Sequence, residues 1–206
     1  VEDGAVLRDF GDYNIYNATQ KIGYVEGTIQ GAIDAASPGD TIYVGPGTYN
    51  ENVVINKNIK LIGDPLDGCM PDYTDQDLPR LVGISANAPV LAGSGSGTGI
   101  KIATGLSDVT ILGFEIKNFN DGVTAQGNGM NNLRLDGNYI HSVNHGIMGG
   151  TTGTETLSGW SVSSNIVDVG DIGISLTNIS NLAVSKNQLT SSDTALEVKV
   201  SGNHTV

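Results

Sequence analysis

Four segments of this chain align under one another: Gly113-Phe-Glu-Ile116, Gly137-Asn-Tyr-Ile140, Ser164-Asn-Ile-Val167 and Lys186-Asn-Gln-Leu189. Their starts are 24, 27 and 22 residues apart. Nine residues after each start comes a small residue and then an aliphatic one: Gly122-Val123, Gly146-Ile147, Gly173-Ile174 and Ala195-Leu196. The inner spacing is constant while the outer one varies, so a fixed unit is joined by loops of changing length. The surplus in the longest interval fits into the Thr/Gly-rich stretch from Thr151 to Gly159. Inside a unit the apolar residues alternate, as in Leu133-Arg-Leu135 and Ile172-Gly-Ile174-Ser-Leu176, which is the period of a half-buried strand. A single unit of short strands cannot bury its own inner face, but stacked units can, so the repeat predicts an all-β solenoid.

Asn138, Asn165 and Asn187 occupy one place in successive units. At the ~4.8 Å spacing of paired strands, their amides are expected to hydrogen-bond along the stack and to turn backbone. Upstream, Asp40-Thr-Ile-Tyr-Val44, Val53-Val-Ile55, Ile59-Lys-Leu-Ile62, and residues 100–102 and 109–112 read as further strands. Thr28 caps a short helix whose apolar face is Ile29, Ala32, Ile33 and Ala36, and Pro38-Gly39 stops it. It is expected to cover the open end of the stack, as terminal caps of solenoids do. No such cap is apparent after Leu196-Glu-Val-Lys-Val200, which is itself strand-like. The predicted organisation is an N-terminal arm over 1–27 and a solenoid over 28–206. Within the latter lie a helical cap at 28–36, an acidic and Gly-rich excursion at 64–99, and regular coils at 108–200.

Composition agrees with this architecture and removes other classes. Charged residues are 16% of the chain, against about 25% in an average globular protein. Gly contributes 29 of 206 residues, about twice its usual share; Asn contributes 19, and Ser plus Thr 33. A coiled coil needs far more Ala, Glu, Lys, Leu and Arg, and 38% hydrophobic residues suffice for a core. The net charge of −12, with no Lys/Arg cluster, speaks against nucleic acid as a partner. No apolar run reaches the ~18 residues of a transmembrane segment. Cys69 is the single cysteine, so no intrachain disulfide framework exists. The start at Val1 rather than Met hints at processing or trimming.

The run Thr28-Ile-Gln-Gly-Ala-Ile-Asp-Ala-Ala36, then Pro38-Gly-Asp-Thr-Ile-Tyr-Val44, Pro46-Gly-Thr-Tyr49 and Ile59-Lys-Leu-Ile-Gly63, resembles the opening of pectin-lyase-like right-handed parallel β-helix proteins. The Asn-rich coils resemble that superfamily's repeat, and the resemblance covers residues 28–200. It implies a single-stranded right-handed parallel β-helix in a secreted or cell-surface setting, including proteins of the surface-layer type. It does not imply a reaction, because the superfamily contains lyases, hydrolases, epimerases, adhesins and structural proteins.

The coil register brings candidate residues together. Glu115, Tyr139, Ile166 and Gln188 are expected to stack outward, beside Lys117, His141, Asp168 and Thr190. The next turn aligns Asn120, Asn144 and Asp171, with Asp121 and His145 adjacent. Asp121, His141, His145, Asp168 and Asp171 are thus expected on one patch, able to exchange a proton or bind a metal. The plainer alternative is that exposed turn residues of a solenoid stack by necessity. Arg134 lies in a neighbouring strand, so the patch lacks the cation that resemblance to pectate lyase or polygalacturonase would lead one to expect. Asp64, Asp67, Asp72, Asp75 and Asp77 are candidate calcium ligands, since Ca²⁺ takes about six to eight oxygens, although their spacing matches no EF-hand. No other cofactor is expected.

Asn17, Asn178 and Asn203 head Asn-X-Ser/Thr triplets and are candidate glycosylation sites. Phe10, Tyr13, Tyr16 and Tyr24 concentrate aromatics in the arm, which is expected to pack on the chain's own helix or pair with a neighbour. Leu196, Val198 and Val200 would supply the complementary open edge for a homo-oligomer or polymer. The leading expectation is a secreted or cell-surface structural, self-assembling or adhesive protein without catalysis. The alternatives are a polysaccharide lyase or glycoside hydrolase acting on acidic glycans, and a carbohydrate-binding module using Tyr139 and Trp160 as stacking platforms.

Overall fold

The computed structural model describes residues 13–24, 27–63, 88–150, 157–199 and 204–205. The chain winds through three short strands per coil, and like strands of successive coils pair in parallel. A first, nine-stranded sheet contains Thr41–Val44, Lys60–Gly63, Thr110–Leu112, Arg134–Asp136, Ser161–Ser163, Leu182–Ser185 and His204–Thr205, preceded by two antiparallel strands. The second sheet stacks Gly47–Tyr49, Pro89–Ala92, Glu115–Lys117, Tyr139–His141, Ile166–Asp168 and Gln188–Thr190. The third stacks Val53–Ile55, Thr98–Ile102, Asp121–Gln126, His145–Gly150, Ile172–Thr177 and Thr194–Lys199. This is the expected parallel β-helix.

Each sheet sends one main column of apolar side chains inward. In the first sheet the column is Ile42, Leu61, Ile111, Leu135, Val162 and Val184, all buried and in register. In the third it is Val53, Ile100, Val123, Ile147 and Ile174, closed by the partly buried Leu196. Each fully buried aliphatic contributes roughly 1.5–3 kcal/mol, so stability rises with every coil added. Trp160, weighed above as a stacking platform, belongs to this interior: it is 1% exposed, and its indole N–H donates to the Met130 carbonyl.

The corner between the first and second sheets explains the repeat. Gly113, Gly137, Ser164 and Lys186 have φ of 78°, 60°, 56° and 56°, a left-handed turn that glycine adopts most cheaply. The residue after each later turn is the ladder asparagine. Asn138 donates to Asn165 Oδ1 and to the Ile111 carbonyl, while its own Oδ1 accepts from Phe114 N–H. Asn165 repeats the pattern with Asn187 and Leu135. The amides saturate corner backbone that the left-handed turn leaves unpaired.

The helix Ile29–Ala35 packs Ile29, Ala32 and Ile33 inward, and Thr28 Oγ1 accepts from Gly31 N–H at 3.0 Å. Seven residues are too few for an isolated helix, so tertiary contacts hold its ends. Glu51 accepts from the N–H groups of Ile29 and Gln30, and Lys57 Nζ donates to the carbonyls of Ile33, Asp34 and Ala36.

The arm and the interval 64–99 also contribute strands. In the arm, Ile15–Asn17 pairs antiparallel with Thr41–Val44 of its own chain, and Ile22–Tyr24 pairs on its outer side. Ile15–Asn17 is therefore paired on both sides within its own chain. The interval 64–99 is not all excursion: Pro89–Ala92 is a second-sheet strand, and Thr98 opens a third-sheet strand. Residues 64–87, with Asp64, Asp67, Asp72, Asp75, Asp77 and Cys69, lie outside the described residues, as do Phe10, Val200 and Asn203.

Candidate functional site

Outward columns of the second sheet fall in the predicted register, Glu115 with Tyr139, Ile166 and Gln188, and Lys117 with His141, Asp168 and Thr190. The contacts within them differ from expectation. Glu115 Oε1 accepts from Lys117 Nζ at 2.7 Å and lies 3.0 Å from His141 Nε2, while His141 Nδ1 faces Ser142 Oγ at 3.1 Å. The His141 ring stacks on Tyr139 with centroids 4.3 Å apart. Burial pushes the Glu115 carboxyl up, but hydrogen bonds from Lys117 and His141 outweigh it and hold the group below its ordinary value. Asp168, beside His141 in register, is exposed and outside this network.

A second network sits where coils turn into the third sheet. Asn144 donates to Asn120 Oδ1 at 2.9 Å, continuing an amide column that ends on Asp171. His145 Nδ1 lies 2.6 Å from Asp121 Oδ1, and Nε2 lies 3.2 Å from Asp171 Oδ2. One imidazole thus bridges carboxylates of the coils on either side of its own. The bond to Asp121 raises the His145 pKa above its ordinary value; burial opposes this, and the charges of Asp121 and Asp171 add to it. The expected five-residue patch is therefore two separate sites, because Glu115 rather than Asp168 captures His141. Among the described residues no group of three or more His, Cys, Asp or Glu side chains is disposed to hold a metal ion.

A third feature was not foreseen. At the far end of the third-sheet strands, a groove of about 370 Å³ crosses three coils, lined by Gln126, Met148, Gly149, Gly150, Ser175 and Thr177. Gln126, Gly150 and Thr177 form one outward column, and Thr124, Met148 and Ser175 the next. Gly150 leaves its column without a side chain between Gln126 and Thr177. Its φ is +104°, and a Cβ there would overlap the Thr177 carbonyl. The sequence signal was the Gly149-Gly150 pair at a position where neighbouring coils carry Ala125-Gln126 and Leu176-Thr177.

The remaining candidates separate by burial. Asn17 is fully buried; its Nδ2 donates to Asp40 Oδ2 and its Oδ1 accepts from Thr19 and Gln20 N–H. A glycan there would displace Asp40, and these bonds give Asn17 a structural role. Asn178 is a half-buried turn residue with φ 57°. Tyr13 is exposed and Tyr16 half-buried, whereas Tyr24, Leu196 and Val198 pack partly against the core. No helix among the described residues is long and apolar enough to cross a membrane.

A family model described as rhamnogalacturonase A/epimerase, pectate lyase-like, matches residues 24–206. No curated protein and no solved structure matches the chain.

Proposed function

This chain belongs to the pectate lyase-like rhamnogalacturonase A/epimerase family, and from that premise we propose that it is an extracellular polysaccharide-binding protein, adhesive rather than catalytic. The family supplies the ligand class. The groove across the third sheet is the observation that carries the reading: hydrogen-bonding and apolar side chains line it, and among the described residues no ionisable group does. A polysaccharide laid across the coils meets one set of groups every ~4.8 Å, comparable with the length of one sugar unit. Gln126, Ser175 and Thr177 present amide and hydroxyl groups to sugar hydroxyls, and Met148 presents a flexible apolar surface to their C–H faces.

Hydrolysis or β-elimination requires a free acid or base within reach of the scissile bond. The two imidazoles stand apart from the groove's lining, and both nitrogens of each have intramolecular partners. Incubation with a panel of plant and microbial polysaccharides should give retention without new reducing ends or unsaturated products. Thr177→Trp, which fills the groove, should weaken retention by roughly tenfold. Retention unaffected by Thr177→Trp removes the groove from the account.

The second reading is catalysis, favoured by one observation: His145 is clamped between two carboxylates that favour its protonated, acid form. Release of Asp171, the longer of the two contacts, would free Nε2 to protonate a leaving oxygen. Product formation that disappears in both His145→Gln and Asp121→Asn would establish this reading against the adhesive one.

A further inference from the structure

The charge distribution around the groove narrows the ligand. Resting on the glycan-binding reading above, we infer that the polysaccharide it accepts is uncharged, in contrast to the acidic polymers with which the fold is associated. A uronate polymer carries a carboxylate on every sugar. Moving a carboxylate onto a protein surface without a paired cation leaves its lost hydration uncompensated, and proteins answer this with Arg or Lys forks. Among the described residues the groove offers neither. All its polar side chains, Gln126, Ser175 and Thr177, are neutral.

Among the described residues, charged side chains stand in other coils of this face or at the far ends of its strands. In the coil below, Glu197 and Lys199 continue the two columns, and they are paired with each other at 2.7 Å. Glu197 also accepts from Ser175 Oγ at 3.0 Å, which places a carboxylate at the rim. Lys101 lies on the same face but one coil above Thr124, two coils from Met148. At the opposite end of these strands stand Asp121 and Asp171, held to His145. Arg134, the one arginine among the described residues, belongs to the first sheet and is bonded to Asp136. The chain as a whole carries −12, so an approaching polyanion meets a repulsive field at low salt.

The test measures retention of the whole chain on four immobilised polymers: a neutral β-glucan, a galactomannan, polygalacturonate and alginate, at low salt and at roughly 0.3 M salt. The expected result is retention on at least one neutral polymer, changed less than about twofold by salt and reduced roughly tenfold by Thr177→Trp. Gln126→Lys, at an exposed position, should raise polyuronate retention at low salt by supplying the missing cation. Polyuronate retention by the unmodified chain that Thr177→Trp abolishes overturns the uncharged-ligand inference while leaving the glycan-binding reading intact. Absence of groove-dependent retention on all four polymers overturns both.

Discussion

Asn165 shows how much one buried amide does here. It is fully buried, accepts from the backbone N–H and the amide of Asn138, and donates to Asn187 and to the Leu135 carbonyl. Asn165→Leu removes that link and leaves several polar groups unpaired at roughly 1–3 kcal/mol each. We expect a loss of about 2–4 kcal/mol in urea unfolding; a change within about 0.5 kcal/mol would mean that the ladder is not structural. His145 is the residue whose effect depends on pH. Its folded pKa lies above the ordinary 6.5, so the stability it contributes is complete below 6.5 and fades as pH rises through the folded value. Glu115 works in the opposite sense: held below 4.5, its contribution is present above 4.5 and fades as pH falls through its folded value. The difference in Tm between the unmodified chain and His145→Gln should therefore be full below pH 6.5 and shrink under alkaline conditions. A difference independent of pH would assign His145 a packing role alone.

At the scale of elements, the helix Ile29–Ala35 was legible because its apolar residues recur at i, i+3 and i+4 behind a Thr cap. What holds its ends was not legible, since Glu51 and Lys57 stand in the bends on either side of Val53–Ile55 and reach back across about twenty residues. Lys57→Met removes a cation from three helix-end carbonyls and should cost about 1 kcal/mol; Thr28→Ala should cost a similar amount through the lost cap. If both changes leave Tm unmoved, packing of Ile29 and Ile33 alone retains the helix. The strand Pro89–Ala92 was missed for a different reason. Its four residues stand between an Asp-rich and a Gly-rich stretch and begin with proline, which is tolerated at a strand's first position. Only pairing with Gly47–Tyr49 and Glu115–Lys117 makes it a strand.

In the whole molecule each coil touches mainly its neighbours, so damage should stay local. Ile140→Ala empties a fully buried site of the second sheet and should cost about 2–5 kcal/mol. Hydrogen exchange should accelerate in the coils of Ile116 and Val167, its register partners, well before the coil of Ile42. Uniform acceleration along the chain would show instead that the stack unfolds as one unit.

The sequence by itself determined the architecture. Nine-residue inner spacing, alternating apolar residues and an asparagine at each corner leave one economical solution, because inward columns must be apolar and corners must saturate their backbone. It also determined the outward register, so that His141 and Asp168 were correctly set side by side. The tertiary structure alone decided which outward groups bond. Glu115 reaches His141 first, His145 spans three coils, and Asn17 turns inward to Asp40. Register fixes which backbones are neighbours, but competition among side chains for the same partner, and the groove that crosses Gln126, Gly150 and Thr177, arise only when the coils are stacked in space.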